Sequence, residues 1–188
     1  DLGQIDLAVE NGSYFEAEAL VEFIGKMKAS GGTAHVMGLL SDGGVHGMLT
    51  HMIASFDVIA KAGVPVALHL ITDGRDVAPS SAHGYLEKIE SALPAGVKIA
   101  TVCGRYYALD RDNRWERVST AFHAMVNAQG AAQPNAKSTI DAAYANDITD
   151  EFIEATVIDD YAGARDGDGL FCLNFRADRA REILAALA

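Results

Sequence analysis

Cysteine is almost absent. Cys103 and Cys172 are the two thiols in 188 residues, and they show no C-x-x-C spacing. That excludes a disulfide framework, and two isolated thiols in apolar runs read as core residues of a protein from a reducing, cytoplasmic compartment. Proline is scarce as well, at 4 residues, and no eighteen-residue apolar run is present. Neither a Pro-rich low-complexity chain nor a bilayer-spanning helix fits. The opening Asp1-Leu2-Gly3-Gln4 lacks the basic region and apolar stretch of a signal peptide. Positive charge is short too: 15 Lys+Arg against 26 Asp+Glu leave −11, which repels a phosphate backbone and argues against a nucleic-acid partner. What is present is 49% apolar residues in a length suited to one substantial core. The start without Met and the helix-like end at Ala188 read as a single domain, residues 1–188, excised from a longer enzyme.

Apolar runs at His35–Leu40, Val66–Thr72, Lys98–Cys103 and Leu170–Phe175 read as strands. Between them, helical spacing predicts a helix opened by the Ser13-to-Glu16 capping box and closed at Gly31-Gly32. Further helices are predicted over residues 49–63, from Ser80 or Ser81 to Leu93, over Arg111–Ala128 with Val118, Phe122 and Val126 inward, and from near Arg176. Weaker signals suggest a helix over residues 138–144 and a short strand at Thr156–Ile158. Strands alternating with helices predict an α/β fold of three layers, a mainly parallel (mixed) sheet with helices on both faces, curled toward a barrel. The polar turn at 163–169 suggests that part of the sheet is antiparallel.

Chemistry collects after the strands: Ser41-Asp42-Gly43-Gly44-Val45-His46, Asp73-Gly74-Arg75-Asp76, Gly104-Arg105, and Arg176-Ala177-Asp178-Arg179. In a parallel sheet these carboxyl ends share one edge, where ligands of such folds bind. Arginine outnumbers lysine nine to six, and Arg75, Arg105, Arg111, Arg176 and Arg179 all fall near that edge. A guanidinium fork grips carboxylate or phosphate by paired hydrogen bonds, so the expected ligand is small and multiply anionic. His46 is a candidate anion contact. Asp76 is a candidate general base, with a helix or turn N-cap as its structural alternative. His46 and His51 with Asp42, and His69 with Asp73, lack convergent metal spacing, so no metal is expected in this chain. No nucleophile stands out: Ser41 has no sequence-evident base and no G-x-S-x-G elbow exists.

Five ordered blocks closely resemble the cofactor-independent phosphoglycerate mutases. They are Gly38-Leu39-Leu40-Ser41-Asp42-Gly43-Gly44-Val45-His46, Asp73-Gly74-Arg75-Asp76-Val77, Gly104-Arg105 through Asp112 with Arg114-Trp115, Asp150-Glu151-Phe152, and Asn174-Phe175-Arg176-Ala177-Asp178-Arg179-Ala180-Arg181. The resemblance implies the substrate-binding phosphotransferase domain, an insertion within a larger phosphatase-like domain, and interconversion of 3-phosphoglycerate and 2-phosphoglycerate through a phosphoserine. It implies that the serine, two Mn2+ ions and a further lysine lie outside these residues. It also implies that His46, Arg75, Asp76, Arg105, Arg111, Arg176 and Arg179 contact substrate, with Asp76 moving protons at the glycerate hydroxyls. The sequence departs at Gly47-Met48, where the family usually continues Ser-His. A non-catalytic binding module for sugar phosphates or carboxylates is the alternative reading of the same residues.

Overall fold

The computed structural model describes residues 2–188. In chain order the elements are α1 (Leu2–Asn11), a 3-10 turn (Ser13–Glu16), α2 (Glu18–Ser30), β1 (Ala34–Leu40), α3 (Leu49–Lys61), β2 (Val66–Thr72), α4 (Ala82–Ala92), β3 (Val97–Gly104), α5 (Arg105–Ala108), α6 (Trp115–Asn127), β4 (Ala131–Gln133), α7 (Ala136–Tyr144), a second 3-10 turn (Asp150–Phe152), β5 (Thr156–Ile158), β6 (Gly169–Cys172) and α8 (Ala177–Leu187). The six strands form one sheet in the order β4-β5-β3-β2-β1-β6. With β4 and β6 as its two edges, the sheet is open and does not close into a barrel.

β1, β2, β3 and β6 are mutually parallel. Every residue of β1 and β2 is buried, which is why these strands read as continuous apolar runs rather than alternating ones. Side chains alternate between two cores. Val36 and Leu40 with Leu68 and Leu70 face α2, α3, α4 and α7, and Met37 and Leu39 with Ile71 and Cys103 face α5, α6 and α8. Helices therefore cover both faces, the three-layer arrangement expected from the alternation of elements. No helix among the described residues is long and apolar enough to cross a membrane.

Several expectations are corrected. The antiparallel pairing lies between β3 and β5, not at the 163–169 turn, which instead leads across the sheet to β6 at the far edge. Ser13 opens only a 3-10 turn; its N–H donates to Asn11 Oδ1, and α2 starts after Ala17. α6 begins at Trp115 rather than Arg111, because Asp110 Oδ2 accepts the N–H groups of Asp112 and Arg114 and Asn113 has φ 57°. Its inward residues are Val118, Ala121, Ala124 and Met125, while Phe122 and Val126 are half-buried. β6 stops at Cys172, and this edge position leaves Cys172 half-buried rather than in the core. α1 and β4 carry too little apolar pattern to be predicted; α1 buries no side chain.

Candidate functional site

Because β1, β2, β3 and β6 run the same way, the loops at residues 41–48, 73–81, 105–114 and 173–176 emerge at one edge of the sheet. Asp73 directly follows β2 and is 2% exposed. Its Oδ1 accepts the N–H groups of Arg75 (3.2 Å) and Asp76 (3.1 Å) and Arg105 Nη1 (2.7 Å), and its Oδ2 accepts the Ser41 hydroxyl (2.6 Å). Burial alone would raise this carboxyl, but the Ser41 hydroxyl, the Asp76 N–H and the Arg105 guanidinium outweigh it and hold it below the usual range. Asp73, not Asp76, thus accepts the backbone donors of this turn. Ser41, 1% exposed, has its hydroxyl committed to Asp73.

Arg105 is 2% exposed and splits Nη1 between Asp73 and Asp76 Oδ2, the latter at 2.6 Å. Two carboxylates on one nitrogen fix the guanidinium without consuming its other edge. Gly74 permits the tight turn: φ is +64°, and a Cβ there would lie 2.8 Å from Asp150 Cβ. Beyond it Arg75 reaches Glu151 Oε1 at 3.4 Å, with more than half of its side chain exposed.

His46 is 4% exposed, and its Nδ1 is buried with no hydrogen-bond partner. The nearest acid is Asp178 Oδ1 at 3.8 Å. Burial, then the positive charges of Arg105 and Arg176, push the imidazole below its ordinary pKa against the opposing pull of Asp178 and Asp76, which favours the neutral ring. Asp178 also accepts Arg111 Nη1 at 3.0 Å and lies 3.5 Å from Arg176 Nε. As the acidic residue in the first turn of α8 it complements the helix dipole that Arg176 and Arg179 oppose. Arg179 Nη1 donates to the Leu109 carbonyl at 3.0 Å, and its Nε is buried without a partner. Burial, then the fields of Arg105, Arg111 and Arg75, lower its pKa from a value so high that the charge remains.

All seven residues singled out in the sequence thus lie within one electrostatic neighbourhood, with Asp178 and Asp73 as its internal anions. Two residues of the site were not picked out in advance. Asp73 was weighed only with His69 as a metal pair and otherwise reads as turn chemistry before Gly74, and Asp178 lay among the arginines at the start of α8. Gly47 and Met48 close the loop before α3: a Cβ on Gly47 would meet the Leu173 carbonyl at 3.3 Å, and Leu49 N–H donates to Ser41 O. The other histidines sit elsewhere. His51 pairs with Asp6 at 2.7 Å, and His69 bonds His35 and Thr101, each at 2.8 Å. Cys103 is buried, its thiol pushed up to about 12 by burial, and is inert.

A cavity of about 790 Å3 opens at the opposite, amino-end edge beside His35, Tyr161 and Asp168. It gathers no comparable set of guanidinium donors, so the chemistry favours the carboxyl edge. Among the described residues no group of three or more His, Cys, Asp or Glu side chains could hold a metal ion. At the cleft itself Asp73, Asp76 and Asp178 are all engaged by arginine, a surrounding that repels a divalent cation. These residues do not fit a metal centre.

The family model described as BPG-independent PGAM N-terminus matches residues 5–188. The chain is 61% identical over 187 residues to the 2,3-bisphosphoglycerate-independent phosphoglycerate mutase of Paracoccus denitrificans (strain Pd 1222). It is 63% identical over 188 residues to that of Dinoroseobacter shibae. In both cases all of this chain aligns, and it spans 37% of the relative's length. A crystal structure of Leishmania mexicana phosphoglycerate mutase, at low cobalt concentration, superposes with a TM-score of 0.90 and 29% identity, over 97% of this chain and 36% of that one.

Proposed function

This chain belongs to the BPG-independent phosphoglycerate mutase family, matching its N-terminal part, and from that premise we propose that it is the substrate-binding half of an isomerase that interconverts 3-phosphoglycerate and 2-phosphoglycerate. The observation that carries the reading is the convergence of five arginines and His46 on the carboxyl edge of the sheet in a protein whose net charge is −11. A phosphoglycerate carries a carboxylate and a phosphoryl group of about −1.5 to −2 charge, which matches separated guanidinium forks. Arg105, fixed by Asp73 and Asp76, supplies a rigid donor, and Arg75, Arg111 and Arg176, half-exposed, supply adjustable ones. Neutral His46 presents a ring nitrogen to an oxygen of the ligand.

The reaction needs the glycerate to stay bound while its phosphoryl group is on a serine and to return it to the other hydroxyl. Asp76, tied to Arg105 on Oδ2, has Oδ1 free to give a proton to the glycerate oxygen that the phosphoryl group leaves and to recover one from the hydroxyl that then attacks the phosphoserine. Holding and orienting the glycerate is this half's contribution to phosphoryl transfer. The serine and two divalent metals, manganese in this reading, belong to the phosphatase-like part outside these residues; the metals would supply charge neutralisation at the transferring group. The setting is cytoplasmic glycolysis and gluconeogenesis.

The test is turnover of 3-phosphoglycerate by the full-length protein and by its Arg75→Ala and Arg176→Ala forms. Each substitution is expected to lower kcat/KM by roughly ten- to a hundredfold, the scale of a lost charge-assisted contact, with an unchanged far-UV spectrum. Wild-type kinetics in both variants overturn the assignment of these arginines. Binding of phosphoglycerate without turnover by the intact protein leaves a non-catalytic binding module in its place.

A further inference from the structure

The cleft holds two kinds of contact between acid and arginine. Arg105 lies 2.7 Å from Asp73 and 2.6 Å from Asp76, a buried guanidinium closed off by its partners. Asp178 is placed differently. It stands in the first turn of α8 with its side chain 36% exposed, and donors from three stretches of chain surround it. Oδ2 accepts Nη1 of Arg111, from the loop before α6, at 3.0 Å. Oδ1 lies 3.5 Å from Nε of Arg176, at the N-cap of α8, and 3.8 Å from Nδ1 of His46, in the loop before α3. Only the Arg111 contact has the length of a good hydrogen bond. Arg111 and Arg176 each keep about half of the side chain exposed, and the His46 Nδ1 is buried with no partner at all. A buried ring nitrogen left unpaired is costly and calls for a partner that the ligand-free cleft does not supply. Loosely held donors of this kind are the ones that an incoming anion takes over.

We propose that Asp178 is an affinity-determining residue of the cleft: in the absence of ligand its carboxylate stands where one of the ligand's two anionic groups will stand, and binding displaces it from Arg111 and Arg176. The inference rests on the reading of the cleft as the phosphoglycerate site. A side-chain carboxylate and a ligand anion present oxygens of like charge to the same guanidinium edges, so donors that converge on one suit the other. Burial alone would raise the Asp178 carboxyl, but the Arg111 hydrogen bond and the charge of Arg176 outweigh it, so the group that the ligand meets is ionised. Its partial exposure leaves the displaced side chain a way out to water. Asp73 and Asp76 are not displaced in this way, because Arg105 grips both at short range. Displacement weakens binding and, by returning the carboxylate to its arginines as product departs, shortens the product's stay.

The experiment compares the full-length protein with its Asp178→Asn and Asp112→Asn forms. The probe is 3-phosphonopropionate, a carboxylate and a phosphonate that cannot be transferred, and the measurement is its inhibition constant against turnover of 3-phosphoglycerate. Asparagine keeps the shape of Asp178 and an acceptor for Arg111 but removes the competing charge. The Asp178→Asn form is expected to bind the probe about three- to tenfold more tightly, the scale of two half-exposed ion pairs that no longer have to be broken. A carboxylate that merely organised the arginines would give the opposite sign, so weaker or unchanged inhibition overturns the inference. Asp112 is exposed on the same loop as Arg111 and pairs with no arginine among the described residues. Neutralising it is expected to change the inhibition constant by less than about twofold, because a solvated charge that touches no donor is screened. Equal tightening in both forms would reduce the effect to the general field of the rim and overturns the inference as well. If the wild-type protein does not turn over 3-phosphoglycerate, the mutase reading fails instead. Calorimetric titration with inorganic phosphate then decides: tighter binding by the Asp178→Asn form bears the inference out, and equal or weaker binding refutes it.

Discussion

Asp73 accepts four hydrogen bonds yet is set back from the ligand side of the cleft, and its replacement separates scaffold from chemistry. Asp73→Asn keeps the volume and removes the charge that faces Arg105, leaving Arg105 with Asp76 alone. The expected loss is about 1–3 kcal/mol of stability, read as a lower thermal midpoint. Because the Asp73 pKa is depressed from 3.8, its contribution is present above that value and is lost as pH falls through the lowered one. The asparagine form should therefore show a shallower decline in acid. Arg105, Arg75 and Asp76 were legible because arginine and carboxylate beside strand ends have few innocent explanations in so acidic a chain. Asp73 was not, since an Asp before Gly reads as a turn, and only the fold shows that it is buried.

At the level of elements, helix starts illustrate what local pattern can and cannot reveal. The start of α4 was legible from Ser81, but Ser81 does not cap it: its hydroxyl donates to Ala78 O, while Asp150 Oδ2 accepts the N–H groups of Ser81 and Ala82 from 69 and 68 residues away. Tyr144 donates to the other oxygen of Asp150, and Thr72 donates to its backbone carbonyl. Asp150 thus ties four pieces together: its carboxylate holds α4 and α7, and its backbone carbonyl holds the end of β2 to the turn that carries Glu151. Asp150→Ala is expected to cost about 2–3 kcal/mol, more than an ordinary cap, measured as a shifted denaturant midpoint. A loss of a few tenths would mean that water replaces the cap. Strands β1, β2 and β3 were readable because burial on both faces writes an uninterrupted apolar run. Short β4 and β5 were weak or silent for the opposite reason: three residues carry no period.

Across the whole molecule, a buried histidine network and the arginine cleft lie at opposite ends of one sheet. Away from the cleft, Asp168, His35, His69 and Thr101 form a chain of hydrogen bonds across β1, β2 and β3. Burial, then the neighbouring His35, takes His69 from 6.5 down to about 3. Between those values the unfolded chain binds a proton that the folded one refuses, so stability falls as pH drops through that window. His69→Gln, which cannot titrate, should flatten the acid limb of the stability curve and leave KM for 3-phosphoglycerate unchanged; an altered KM would show that the two ends are coupled. The three-layer architecture was legible from the order of elements, whereas the route of the chain from β5 to the far edge was not, because loop residues 159–168 record no direction.

That route has a temporal cost. The contact that seats β6 beside β1, from Thr33 N–H to Asp168, joins residues 135 apart, and ordering so long a loop is slow. In the proposed reading, whatever Arg176 and Arg179 offer an anion arrives with this last strand and the helix behind it. During synthesis and refolding, tight retention of a phosphorylated acid should therefore lag behind the appearance of secondary structure and serve as a late clock for maturation.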